Sequence, residues 1–228
     1  MGREHLSRQF DADLDEIRLE LLEMGGTVEL MIGNAVQALV ERDSSLARLV
    51  IATDLQINRM EMEIDKKCLH LLALRQPAAR DLRFATLALK IVTDLERIGD
   101  QCANIAKRAL ELNLEPPLNP YADVPRMAQA VNSLLRNALD AFVHEDPQLA
   151  AAVCVKDRFV DELDDQVQRE MLTFMIEDSG NIGRAMRINS VSKYLERVAD
   201  HATNIAEMVI FMVNGKDIRH PALGASIR

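Results

Sequence analysis

The chain has 228 residues, of which 48% are hydrophobic and 28% charged, with 27 Lys and Arg against 36 Asp and Glu. This composition is typical of a folded globular chain and argues against a disordered or fibrous protein. The net charge of −9 makes sequence-independent binding to DNA, or to an anionic lipid surface, electrostatically unfavourable. We therefore expect no direct binding of nucleic acid, and membrane contact only through partner proteins.

The apolar runs and the cysteines indicate a cytoplasmic protein. The longest apolar runs, such as 209–213, are far shorter than the ~20 residues that cross a bilayer, and the first ten residues lack the pattern of a signal peptide. Cys68, Cys102 and Cys154 have no CxxC spacing and an odd count, so neither a disulfide framework nor a zinc ribbon is expected. We expect the three to behave as small buried apolar residues.

The hydrophobic pattern predicts an all-α fold of six long helices. Aromatic residues are 4% and Trp is absent, which favours helices over β-sandwiches. The prolines fall between or at the starts of the apolar-periodic segments. In chain order the predicted helices are 11–42, 44–76, 78–112, 124–144, 147–178 and 181–213. The expected N-caps are Asp43, Asp123, Asp146 and Asn181, with Gly215 beyond the last helix.

The chain is an internal duplication. Residues 94–107 (DLERIGDQCANIAK) match residues 194–207 (YLERVADHATNIAE) at an offset of 100, and the match continues upstream at an offset of 103. The proline-rich segment 114–123 lies between the two copies and is predicted to be a linker. We therefore predict two pseudo-symmetric three-helix bundles in tandem, at 1–113 and at 124–228, the second with a short C-terminal tail.

Acidic residues repeat on the outer side of each third helix. The apolar seam differs between the two copies, whereas the Glu, Arg, Asp and Asn beside it are identical in both. A spacing of four places Glu96 with Asp100, and Glu196 with Asp200, along one stripe of the helix. Like charges at this spacing repel by roughly 0.2 to 0.5 kcal/mol. An ion pair with the arginine three residues before each Asp is the purely structural explanation.

The second helix of each bundle carries oxygen ligands at the same height. In an antiparallel hairpin, Asp54 and Asn58 lie about 24 and 20 residues before the turn. Glu96 and Asp100 lie about 18 and 22 residues after it on the returning helix, so the two pairs are at the same height and face each other. Glu61 and its counterpart lie one turn nearer the loop. The predicted ligands are Asp54, Asn58, Glu61, Glu96 and Asp100 in the first bundle and Asp157, Asp161, Asp164, Glu196 and Asp200 in the second.

Such clusters suit metal ions that prefer oxygen ligands. Carboxylates gathered without His or Cys repel one another unless a cation neutralises them, and Mg²⁺, Mn²⁺, Ca²⁺ or carboxylate-bridged iron fits this ligand set. The two clusters are not equivalent, because Asn58 stands where the second copy has Asp161. The first cluster carries one less formal charge, and we predict that it binds metal more weakly.

Several motifs together resemble the PhoU family. They are the opening RQFDADLDEIRLELLEMG, QPAARDLR at 76–83, and LERIGD at 95–100 with LERVAD at 195–200, each leading into NIA. The resemblance covers essentially the whole chain. It implies a cytoplasmic negative regulator, not an enzyme, that represses the phosphate-starvation regulon when phosphate is plentiful. It also implies a homodimer and a link between the ATPase subunit of a phosphate ABC transporter and a sensor histidine kinase.

The same resemblance implies multinuclear iron or zinc clusters on the bundle surface, at motifs of the form E/D-x-x-x-D. The positions of this chain that match are Glu96, Asp100, Asp157, Asp161, Glu196 and Asp200. Asp54 matches the motif as well, but Asn58 departs from it.

Other functions remain open. A metal-free adaptor would use the same helix faces for protein contact. A di-iron oxidase would need E-x-x-H pairs inside a bundle, and neither Glu96 nor Glu196 is followed by His at that spacing. A histidine phosphotransfer domain would need an exposed His on a helix face, for which His70, His144 and His201 are available.

Overall fold

The computed structural model describes residues 2–75, 79–118 and 123–215, and every regular element in these ranges is helical. The predicted all-α fold with six long helices is confirmed. The helices are α1 (Gly2–Val40), α2 (Ser44–Arg75), α3 (Ala79–Leu112), α4 (Asp123–His144), α5 (Pro147–Glu177) and α6 (Ile182–Asn214), with a 3-10 turn at Ser179–Asn181. None of the described helices is both long and apolar enough to cross a membrane.

Two three-helix bundles pack side by side through their central helices. Helices α1, α2 and α3 contact one another, as do α4, α5 and α6, and the bundles meet where α3 lies along α6 and α1 along α4. The α3–α6 pair is antiparallel, because Asp94 in the first half of α3 accepts a hydrogen bond from Asn204 late in α6, while Glu111 near the end of α3 pairs with Arg187 early in α6. Within the described residues, α2 and α5 contact only the helices of their own bundle and so lie outermost.

The apolar seams form one core that runs through both bundles. The seam of α3 is buried at Ile91, Leu95 and Ile98, and that of α6 is buried in the same way. The α1–α4 contact is close at Gly25, where a Cβ would lie 2.5 Å from Leu139 Cδ1. Cys68 and Cys102 are fully buried and Cys154 is half-buried, and all three are free thiols. The expectation of buried, unpaired cysteines therefore holds for two residues and in part for the third.

Three of the predicted helix ends are formed as expected. The carboxylate of Asp43 accepts hydrogen bonds from the backbone N–H groups two and three residues later, at 2.8 and 3.0 Å. Asp146 does the same at 2.9 and 3.0 Å. Gly215 follows α6 in the left-handed conformation, with φ 69°. These side chains and this glycine satisfy backbone groups that a helix leaves unpaired at its ends.

Other predicted boundaries were wrong or fall outside the described residues. Asn181 makes no cap bond, because its side chain donates to Phe174 O and accepts from Arg184 instead. Asp123 is the first residue of α4 and pairs with Arg126. Helix α1 begins at residue 2 and not at 11, since the earlier residues include good helix formers and no proline. The C-terminal tail beyond residue 215 lies outside the described residues.

The turn between α1 and α2 also closes the end of α3. Arg42 has φ 57°, and Glu145, its counterpart at an offset of 103, has φ 50°, so the duplication extends to the backbone of this turn. The Arg42 guanidinium donates to the carbonyl oxygens of Leu112, Asn113 and Glu115 at 3.2, 3.0 and 2.6 Å. A single cation thereby satisfies carbonyls that the last turn of α3 leaves open.

Replacing Arg42 with Ala is expected to lower the free energy of unfolding by ~1 to 3 kcal/mol, because hydrogen bonds from a charged donor to three carbonyls are lost. Chemical denaturation of the purified protein measures the change. The control is Arg48→Ala on α2, an exposed arginine whose loss is expected to cost no more than ~0.5 kcal/mol. Equal losses in the two variants would contradict the role given to Arg42.

Candidate metal centre

The first acidic groove lies at a close approach of α2 and α3. A Cβ at Gly99 of α3 would lie 3.2 Å from Ile57 Cγ2 and 3.4 Å from Asp54 Oδ1. A Cβ at this position would crowd Ile57, whereas its distance to the Asp54 carboxylate is an ordinary van der Waals contact. Asp54 Oδ1 and Asn58 Oδ1 are both buried without a hydrogen-bond partner. Buried oxygens of this kind are uncommon and are satisfied by water or a cation in most proteins.

The carboxylates of this groove lie close enough to influence one another. Burial raises the pKa of Glu96, and the negative charges of Asp100, Glu61 and Asp54 raise it further, while Arg97 opposes them. Burial followed by the charge of Asp100 likewise raises the pKa of Asp54. The structure therefore brings together the acidic residues that the sequence predicted for the first site.

Arg97 provides the local ion pair that the structural explanation requires. Its Nη1 lies 3.6 Å from Asp100 Oδ2, and its Nε lies 3.6 Å from Glu96 Oε2. The Arg97 side chain is 57% exposed, and an exposed pair at this distance contributes only ~0 to 1 kcal/mol. This arginine reduces the repulsion in the first groove without removing it, since the pKa of Glu96 remains raised.

The second groove has a carboxylate at each of its four facing positions. The pKa of Asp157 on α5 is raised to about 6 by burial and then by the negative charges of Asp161, Asp200 and Glu196. Burial and the charges of Glu196 and Asp161 also raise the pKa of Asp200. These four residues are the predicted ligands on the facing sides of α5 and α6, and the structure places them together.

Asp164 is held in a separate network. It is buried, accepts hydrogen bonds from Ser192 and from Gln168 Nε2, and forms an ion pair with Lys193 Nζ at 3.0 Å. Lys193 also lies 3.1 Å from Glu196 Oε1. Asp164 is therefore satisfied already, unlike its counterpart Glu61, whose pKa is raised by burial and by neighbouring carboxylates.

Sequence reasoning missed Lys193 beside the second site, and it considered His201 only as a phosphotransfer candidate, not as the partner of an acidic residue. Lys193 replaces Thr93 of the first copy, and His201 replaces Gln101. His201 Nδ1 lies 2.7 Å from Asp94 Oδ1 across the bundle interface, directly after the predicted ligand Asp200. The signal was present in the sequence, because both positions break the repeat beside a motif that is otherwise duplicated.

The ligand set fits a cation, although it is not arranged around one. Among the residues that the structure describes, no three His, Cys, Asp or Glu side chains form a ready metal-binding group. Binding would therefore require the carboxylates to draw together. The chemistry favours it, since the donors are oxygens only and their pKa values are raised by burial and mutual repulsion. The unsatisfied Asp54 Oδ1 and Asn58 Oδ1 add two further donors.

Comparison with known proteins assigns the chain to a family. The PhoU domain matches twice, at residues 21–109 and 124–209. The chain belongs to the PhoU family. A protein of Pseudomonas putida named phosphate-specific transport system accessory protein PhoU homolog is 45% identical over 221 residues, which cover 96% of this chain and 86% of that one. The resemblance suggested by the doubled LERIGD and LERVAD motifs is thus confirmed.

Solved structures of PhoU family members have the same fold. The crystal structure of PhoU from Pseudomonas aeruginosa matches with a TM-score of 0.88 and 44% identity, and the match covers 91% of this chain and 100% of that one. The phosphate transport system regulatory protein PhoU from Streptococcus pneumoniae matches with a TM-score of 0.86 and 30% identity, over 92% and 99% of the two chains.

The raised pKa of Asp157 predicts a pH-dependent effect of Asp157→Asn in the metal-free protein. A carboxyl whose pKa is higher in the folded than in the unfolded chain destabilises the fold as it ionises, so the wild-type protein loses stability between about pH 4 and pH 7. The variant cannot ionise here. Its Tm relative to wild type should therefore rise across this interval, as measured by thermal unfolding in the presence of a chelator.

The matched control for this experiment is Asp165→Asn, an exposed carboxylate on the same helix. Its Tm difference from wild type should stay flat across the same pH interval. If the Tm difference between Asp157→Asn and wild type did not change with pH, the second groove would not destabilise the ionised form of Asp157.

Proposed function

We propose that this protein is an accessory regulator of a phosphate-specific transport system. The observation that supports it is the full-length relationship: the alignment with the P. putida accessory protein spans 96% of this chain, and the chain carries both copies of the PhoU domain. The S. pneumoniae relative is named as a regulatory protein of phosphate transport. No catalytic step is required for such a role, because an adaptor acts through what it binds.

In this proposal the protein works in the cytoplasm and represses the phosphate-starvation response when phosphate is plentiful. It links the ATPase subunit of a phosphate ABC transporter to a sensor histidine kinase, and it acts as a homodimer. For its binding to carry a signal, its affinity for a partner must differ between the phosphate-replete and starved states of that partner, since equal affinities shift no equilibrium.

A strain that lacks this protein should produce high phosphatase activity in ample phosphate, a condition in which the wild type produces little. The reason is that the repressing arm of the pathway is lost. The measurement is secreted alkaline phosphatase activity in both strains, with the deletion strain carrying the gene on a plasmid as the control. Unchanged output in the deletion strain would count against the repressor role.

The carboxylate grooves are the proposed metal sites of this regulator. A cation would supply the positive charge that the clustered carboxylates lack. Asp54, Asn58, Glu61, Glu96 and Asp100 would hold it in the first groove. The second groove would use Asp157, Asp161, Glu196 and Asp200. Iron or zinc follows from the family, and Mg²⁺, Mn²⁺ or Ca²⁺ suits the same oxygen donors.

A metal-free adaptor is the second candidate. Arg97 already lies beside Glu96 and Asp100, and Lys193 beside Glu196. These contacts balance part of the negative charge without an ion. In that case the grooves would be surfaces for protein contact, and the phosphate role would stand unchanged.

Separate Asp54→Asn and Asp157→Asn variants should lose different amounts of bound metal. Because the second groove has Asp161 where the first has Asn58, Asp157→Asn is expected to remove the larger share. Metal per chain is measured by elemental analysis of untagged protein prepared without chelator, with Asp165→Asn as the control that keeps the wild-type content. Equal losses would refute the asymmetry, and a wild-type protein without metal would favour the metal-free adaptor.

A further inference from the structure

The outward face of α2 carries an exposed apolar stripe. Leu55, Met62 and Leu69 are 60%, 71% and 59% exposed. Their spacing of seven residues is close to two helical turns, so the three lie on one line about 21 Å long. Helix α2 contacts only α1 and α3 in the described structure, and no described helix of the chain covers this line.

The duplication shows that the bundle does not need this stripe. At an offset of 103, Leu55 corresponds to Arg158 on α5, and Met62 corresponds to Asp165. Both counterparts are exposed. Since the second bundle folds in the same way with charged residues at two of these three positions, packing within a bundle does not account for the apolar residues on α2.

Basic residues alternate with the stripe. Arg59 and Lys66 follow Leu55 and Met62 by four residues, so they lie beside them on the same face. Both are exposed, and neither forms an ion pair within the part of the chain that the structure describes. The counterpart of Arg59 on α5 is Glu162, whereas that of Lys66 is Arg169. Two exposed cations therefore lie beside the apolar side chains, with the exposed Glu63 between them in the sequence.

We infer that the outward face of α2 binds an acidic amphipathic helix of a partner protein. An apolar line at heptad spacing fits the apolar face of a second helix, and Arg59 and Lys66 would pair with acidic residues beside that face. The inference goes beyond the proposed function, because it does not depend on phosphate or on metal in the grooves.

The charges of the chain argue against a second copy of the protein and against a membrane as the binding partner of this face. A second copy that packed through the same face would bring Arg59 and Lys66 against their own equivalents, which is repulsive. An anionic membrane would attract the two cations but repel the rest of the chain. The Asp54 groove, with its clustered carboxylates, lies on the inner side of the same helix. An acidic helix contacts the stripe alone and avoids this repulsion.

The test uses two fluorescent synthetic helical peptides of 21 residues. Both carry Leu along one face, and the face is flanked by Glu in the first peptide and by Lys in the second. Binding to the full-length protein is measured by fluorescence anisotropy at low and high salt. We expect the acidic peptide to bind at least about tenfold more tightly than the basic one, and its affinity to fall as salt increases.

Three variants locate the binding surface. Met62→Ser should weaken binding of the acidic peptide about tenfold. The double change Arg59→Glu and Lys66→Glu should reverse the preference between the two peptides. The matched control is Leu172→Ser on α5, which changes the counterpart of Leu69 and should leave binding unchanged. All the altered side chains are exposed, so the variants are expected to fold, and circular dichroism checks this.

Four outcomes would overturn the inference. The two peptides would bind alike, or Leu172→Ser would weaken binding as much as Met62→Ser. Sedimentation would show that Met62→Ser dissociates a dimer, which would assign the face to a second copy. Vesicles of anionic lipid would bind the wild type but not the charge-reversed variant, which would assign the face to a membrane.

Discussion

The antiparallel packing of α3 on α6 is the constraint on which the rest of the structure depends. Each of these helices is the inner element of its own bundle and also contacts the other bundle, so most of its surface is buried. Ile98 and Val198 show this burial at matching positions. The strip left exposed is narrow, and Glu96 and Glu196, whose side chains are 15% and 22% exposed, lie at its edge beside α2 and α5. The position of the acidic grooves therefore follows from the packing of the core.

The same packing also causes the repulsion between carboxylates in each groove. Carboxylates held on rigid helices cannot move apart to relieve their repulsion, and partial burial weakens the screening by water. The two bundles compensate differently. The first has Asn58 where the second has Asp161, and an exposed Arg97 lies beside its cluster. The second relies on Lys193, which is shared with the buried Asp164, and its Asp157 keeps the higher pKa. The second groove, where burial and three neighbouring carboxylates raise the pKa of Asp157 to about 6, is thus the one with more to gain from a cation.

The sequence was sufficient for the features that depend on one helix or on the repeat. The apolar period predicted six helices, and the spacing of four predicted that Glu96 and Asp100 share a stripe. The sequence was not sufficient where the role of a side chain depends on a residue of a neighbouring helix. Asp164 leaves the predicted ligand set because Ser192 and Lys193 reach it from α6. Asn181 failed as a cap because the 3-10 turn before α6 gave its side chain other partners. Such competition between neighbouring elements has no signature in the spacing of residues along one helix.

The duplication makes the two bundles controls for each other. Where equivalent positions of the two copies carry different residue types, the shared fold requires neither type. The residue found in one copy must then be explained by something other than packing within the bundle. The Glu and Asp of the doubled motif, at positions 96, 100, 196 and 200, are kept in both copies although they repel. The outer faces of α2 and α5 differ, with Met62 exchanged for Asp165 and Arg59 for Glu162, although Lys66 and Leu69 have the similar counterparts Arg169 and Leu172. The paired grooves therefore point to a function that both bundles share, whereas the apolar and basic face of α2 points to a contact that the first bundle alone makes.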